Sequence, residues 1–217
     1  MQAHSCWRCG QDNGEQEQAP SLFCAYCNSL QAPTPDYFRF FGLGKRLSVD
    51  IPELQRRFYD LSRVLHPDRY TRRPERERSY SLEATAILND GYRVLRDPVR
   101  RAEYVLREAG FEIGAQRTKD VPPELLEEVF ELNMALDELR SGDEDVIPQL
   151  RESRERFVGM QNAIDGELQE QFERHDAAAD DEGRREALLA IRGILNRRRY
   201  IENLLSEVDK ELVARGS

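Results

Sequence analysis

No cysteine follows Cys27 in this chain of 217 residues, so no disulfide framework can hold most of the molecule. Aromatic residues make up only 8% and runs of β-branched residues are sparse, which leaves little of the usual material for sheets. No stretch approaches the roughly 18 consecutive apolar residues of a bilayer-spanning helix, and the N-terminus carries no apolar signal core. With no Arg-rich, Ser-rich amphipathic leader either, the expectation is a soluble protein of the bacterial cytoplasm, with the mitochondrial matrix as the alternative. A formal net charge of -9 gives no overall attraction to nucleic acid or to an anionic membrane, and neither is expected as a partner.

One third of the residues are charged, and Glu, Arg, Leu and Ala dominate, the mix of amphipathic helices. The fold class expected is mostly α, in three zones. Residues 1–31 hold all four cysteines, and Ala32-Pro33-Thr34-Pro35 forms an extended linker because each proline pushes its predecessor out of α geometry. This predicts a separate small module. Residues 36–110 predict a short aromatic helix, then one capped by Ser48 or Asp50 with Ile51, Leu54, Phe58, Leu61 and Leu65 as its apolar stripe. That helix ends at Pro67, and after a polar stretch another carries Tyr80, Ala84, Ile87, Leu88 and Leu95 inward, followed by a further helical turn or two over 99–108. Pro122-Pro123 marks the next boundary, and residues 120–215 predict an antiparallel three-helix bundle.

Cys6-x-x-Cys9 and Cys24-x-x-Cys27 each wrap a metal with two thiolates, and Gly10 and Asn28 tolerate the left-handed backbone that such a knuckle needs. Four protein ligands leave no open position, so the expectation is a structural Zn²⁺ whose binding energy folds a segment too small to fold alone. Two disulfides, a redox pair or iron are the competing readings. Trp7, Leu22, Phe23 and Tyr26 are the expected core of the module. Only Arg8 precedes Arg39 as a basic residue, which argues against phosphate binding.

His66-Pro67-Asp68 stands where one amphipathic helix stops and before another begins. Three residues alone are weak evidence, and a turn with a capping aspartate is the bland alternative. The preceding helix, however, leaves Arg56 and Arg63 opposite its apolar stripe, with Arg57 nearby and Arg69 beyond the turn. From about Asp36 to Leu106 this resembles the J-domain. The resemblance implies that His66, Pro67 and Asp68, with Arg56, Arg57, Arg63 and Arg69, contact the ATPase module of a DnaK-type heat-shock chaperone. It also implies that they stimulate its ATP hydrolysis, and that this chain is not itself an enzyme.

The resemblance sharpens over the whole chain. Asp36-Tyr37-Phe38, Arg101-Ala102-Glu103-Tyr104-Val105-Leu106, the acidic helical C-terminal zone and Cys6-Trp7-Arg8-Cys9-Gly10 are similar to the HscB type of J-protein. That implies a co-chaperone of iron-sulfur cluster assembly, which binds an IscU-type scaffold and delivers it to a DnaK/HscA-type chaperone. In the helix after Pro123, Leu125, Val129, Leu132, Leu136 and Leu139 form one stripe suited to a bundle core, while Leu126, Phe130 and Met134 form a second. Glu127, Glu131 and Glu138 frame that second stripe, the anatomy of a partner site. The positions matching the family's scaffold-binding face are Leu126, Phe130, Glu131, Met134, Glu138 and Phe157. A general J-protein that delivers unfolded clients remains the alternative.

Overall fold

The computed structural model describes residues 5–12, 22–111 and 125–215. The boundary signal Pro122-Pro123 lies outside them. The described residues form seven α-helices: α1 (Tyr37–Phe40), α2 (Ile51–Leu65), α3 (Glu75–Leu95), α4 (Pro98–Glu108), α5 (Leu126–Arg140), α6 (Ile147–Ala177) and α7 (Asp181–Arg215). Among these residues there is no strand longer than an isolated bridge. The chain divides into two compact units, residues 1–104 and 105–217.

In the first unit, Asp50 rather than Ser48 caps α2, its carboxylate accepting the Glu53 amide at 3.0 Å, and Pro52 occupies the first turn. Leu54 and Leu65 are fully buried on the predicted stripe, whereas Ile51, in the first turn, lies at its exposed edge. Antiparallel α2 and α3 meet through Phe58 stacked on Tyr92, ring centroids 4.3 Å apart. α1 packs across α3 at Gly91: a Cβ there would stand 3.0 Å from both the Phe41 and Tyr37 rings, so glycine is what lets the aromatic helix approach. Tyr37 also packs on Tyr104 of α4, centroids 4.8 Å apart.

In the second unit, α6 and α7 run antiparallel, as the register of ion pairs shows: Arg154 with Asp209 at 2.5 Å, Asp165 with Arg198 at 3.7 Å and Arg174 with Glu186 at 3.8 Å. Arg140 at the end of α5 reaches Glu207 and Glu211 of α7 at 2.8 and 3.0 Å and ties the third helix in. The predicted stripe Leu125, Val129, Leu132, Leu136 and Leu139 is buried, facing a core that includes Phe157, Ile164, Leu168 and Phe172 of α6. The three-helix expectation therefore holds.

Candidate functional site

α2 stops at Leu65 because Pro67 cannot supply an amide and pushes His66 into an extended conformation (φ -55°, ψ 128°). Pro67–Tyr70 then form a 3₁₀ turn in which the Arg69 amide donates to the His66 carbonyl at 3.0 Å. The Asp68 amide donates to His66 Nδ1 at 3.3 Å, which leaves the Nε2–H of the ring as its donor for a partner. His66 and Asp68 are exposed, but the turn beneath them is anchored. The buried Ser81 hydroxyl donates to the Leu65 carbonyl at 2.7 Å, Thr85 adds a bond at 3.3 Å, and the Tyr70 hydroxyl donates to the Val64 carbonyl at 3.0 Å. These bonds absorb the carbonyls that the end of α2 leaves orphaned. Burial, with the Glu77 carboxylate, raises the Tyr70 pKa, so this phenol stays a donor at neutral pH.

Arg56 and Arg63 point into solvent, each paired only loosely within its helix, to Glu53 and Asp60 at 3.9 Å. Arg69 is exposed beside the turn. Arg57 differs: its guanidinium pairs with Glu53 at 2.5 Å and donates to the Phe41 and Gly42 carbonyls at 2.7 and 2.5 Å. It fastens α2 to the end of α1, and its donors are spent inside the unit. Tyr70, Ser81 and Thr85 escaped sequence reasoning because their role depends on which carbonyl a distant helix brings within reach.

The four cysteine sulfurs lie within 4.8 Å of one another. Cys6 to Cys27 and Cys9 to Cys24 are each 3.7 Å apart, close to the roughly 3.8 Å edge of a tetrahedron whose metal–sulfur distance is about 2.3 Å. Both distances are far too long for a disulfide of about 2.05 Å, and the cysteines are free. The two knuckles repeat one geometry. The Gly10 and Asn28 amides donate to the Cys6 and Cys24 carbonyls at 2.9 Å, with φ +73° and +53°, and the Arg8 and Tyr26 amides point at the Cys6 and Cys24 sulfurs at 3.4 Å. Ser29 Oγ stands 3.1 Å from the Cys27 sulfur and 3.4 Å from that of Cys6.

These donors favour thiolates. Burial pushes the Cys6 thiol up, but the Ser29 hydroxyl and the backbone amides overcome it and hold it at about 5. Cys9 goes the other way: the Gln11 amide lowers it, yet burial and the neighbouring sulfurs drive it up to about 12. Four sulfurs clustered at near-tetrahedral spacing are a donor set that fits a metal ion. The core of the module departs from expectation: Tyr26 is exposed, Trp7, Leu22 and Phe23 are half-buried, and the fully buried leucine is Leu30, whose carbonyl accepts the Trp7 indole N–H at 2.7 Å.

On α5 the second stripe stays out of the core. Leu126, Phe130 and Met134 are 56%, 66% and 50% exposed. Full burial of each is worth about 1.5–3 kcal/mol, and roughly half of that is unrealised in the free chain. Glu131, Met134 and Glu138 line a groove with Gln149, Glu152 and Arg156 of α6, where Arg156 meets Glu131 at 3.5 Å. Phe157 does not join this surface. It is 1% exposed, turned into the bundle by the apolar stripe of its own helix, so it supports the face from beneath rather than touching a partner.

The described residues thus combine a tetracysteine module, an α-helical hairpin that presents an exposed His-Pro-Asp turn, and a helical bundle. Residues 121–209 match the model of the HSCB C-terminal oligomerisation domain. The chain is 32% identical to the co-chaperone protein HscB homolog of Aromatoleum aromaticum, over 82% of this chain and 94% of that protein. It is 30% identical to the iron-sulfur cluster co-chaperone protein HscB of Mus musculus, over 74% of this chain and 70% of that protein. The crystal structure of human co-chaperone protein HscB superposes with a TM-score of 0.65 at 25% identity, covering 96% of this chain and 98% of that one. The chain belongs to the HscB family of co-chaperones, which is not a family of enzymes.

Proposed function

We propose that this protein binds an IscU-type iron-sulfur scaffold on α5, delivers it to a DnaK/HscA-type heat-shock chaperone, and stimulates the ATPase of that chaperone through His66-Pro67-Asp68. The observation that carries the reading is the α5 face: Leu126, Phe130 and Met134 remain largely in water although the opposite stripe fills the core. An apolar centre rimmed by Glu127, Glu131 and Glu138 suits a folded partner with an apolar patch and basic surroundings. The rigid turn, with Arg56, Arg63 and Arg69 free to steer an acidic surface, suits docking on the chaperone. Arg57 contributes by holding α2. The hydrolytic groups belong to the chaperone. Zn²⁺ is the metal that best matches four thiolates in a closed tetrahedron, and its role is to fold residues 1–31. Such a site keeps its thiols reduced in the bacterial cytoplasm or the mitochondrial matrix.

Calorimetric titration of the scaffold into the chain tests the reading. Leu126→Ala with Phe130→Ala is expected to weaken scaffold binding at least tenfold, since two exposed anchors at about 1–2 kcal/mol each are removed. Unchanged affinity rejects α5 as the site. Equal affinity of the parent protein for scaffold and for an unfolded polypeptide makes it a general client-delivery protein instead.

A further inference from the structure

The cysteine module does not stand apart from the hairpin. Trp7 and Arg8, between Cys6 and Cys9, reach the first turn of α3: the Arg76 guanidinium lies over the Trp7 ring at 5.4 Å from its centroid, and Arg8 approaches Glu77 at 3.8 Å. Phe23 and Asn28, which flank Cys24 and Cys27, line a cavity of about 300 Å³ together with Arg69, Tyr70, Arg73 and Glu77. Each of these four module residues lies within a knuckle or next to it, where the backbone path follows the metal geometry. The hairpin side of the seam brackets His66-Pro67-Asp68, with Val64 before it and Arg69 directly after.

Glu77 is the centre of this seam. It occupies the third position of α3, where a carboxylate is stabilised by the helix N-terminus. That accounts for its charge but not for its burial. The side chain is 2% exposed, with Arg8 of the module and Arg73 of its own segment at 3.8 and 3.9 Å, and Oε2 has no hydrogen-bond partner among the described residues. A carboxylate held this way depends on both arginines being in place, because an unpaired buried charge is costly.

We propose that metal binding by the four cysteines and ordering of residues 69–73 behind the His-Pro-Asp turn are one coupled equilibrium, transmitted through Trp7, Arg8, Arg76 and Glu77. The proposal rests on reading the cysteines as a metal site. Linkage makes the coupling reciprocal: whatever factor the metal contributes to the seam, the seam returns to metal affinity. The knuckle residues thereby act as positioning residues for the chaperone-facing turn, and an oxidised or metal-free module presents that turn on a looser base.

The test uses the full chain loaded with Zn²⁺ and reads metal affinity by competition with a chromogenic chelator, alongside hydrogen exchange of the amides at 69–73. Glu77→Gln is expected to weaken metal binding about fivefold or more. Arg76→Ala, an exposed position that keeps the test if the first variant fails to fold, is expected to weaken it about two- to fivefold. Exchange at 69–73 is expected to be faster in the metal-free parent than in the loaded one. Unchanged metal affinity in the folded variants, with exchange at 69–73 indifferent to metal, overturns the coupling while leaving the metal site standing. A parent chain that takes up no metal overturns the cysteine reading itself, and the coupling with it.

Discussion

His66 shows how little of the turn is held by the residues that define it. Its ring is fastened by one amide, while the backbone beneath is gripped by Ser81, Thr85 and Tyr70 from the far side of the turn. His66→Gln should therefore abolish stimulation of the chaperone ATPase and leave helicity intact by circular dichroism; persistent stimulation would count against the turn as the contact. Tyr70→Phe removes one hydroxyl bond to the Val64 carbonyl, and the expected loss is about 1 kcal/mol of stability in denaturant unfolding. Gly91→Ala is the sharpest packing probe in the first unit. The added methyl meets two aromatic rings at 3.0 Å, and a loss of about 1–3 kcal/mol is expected, whereas a gain from helix propensity alone would show that α1 yields easily.

Among the helices, α5 carries the clearest division of labour. Its hydrophobic residues fall on two stripes, and the structure assigns one to the core and one to water. Phe130→Ala is accordingly expected to change stability by no more than about 0.5 kcal/mol. Phe157→Ala, at a position that resemblance placed on the scaffold face, is expected to cost about 3–5 kcal/mol, measured as a lower Tm. Equal effects on stability would mean that the two phenylalanines share one environment. The stripes were legible from spacing alone, because a helix turns its residues by a constant angle. Phe157 lies on the apolar stripe of α6 with Leu150, Ile164, Leu168 and Phe172, so its inward position follows the same spacing rule, against the scaffold face on which the resemblance placed it.

At the scale of the molecule, the cysteine module and the helices are built from different material, clustered sulfurs in one and apolar side chains in the other. All four cysteines lie outside the seven helices, whose cores are apolar, so stripping the metal with a strong chelator should leave the far-UV helical signal nearly unchanged while residues 5–12 and 22–31 lose exchange protection. A collapse of helicity on metal removal would show that the module is needed to hold the helical fold. The division of the chain after Tyr104 keeps the His-Pro-Asp turn and the α5 face on separate units, each with its own core.

The sequence by itself determined what is local and periodic: the helices and most of their ends, the buried and exposed stripes of α5, the paired knuckles with Gly10 and Asn28 in the left-handed region, and the break at His66-Pro67. Each follows from backbone sterics or a repeat angle, which nearby residues set. Tertiary structure alone decided the rest. Arg57 became a fastener rather than a free cation, Leu30 went inside while Tyr26 stayed out, and Glu77 was buried against a segment more than sixty positions away. Long flexible side chains and aromatic rings have several rotations open to them, and only the surfaces brought up from distant parts of the chain choose among them.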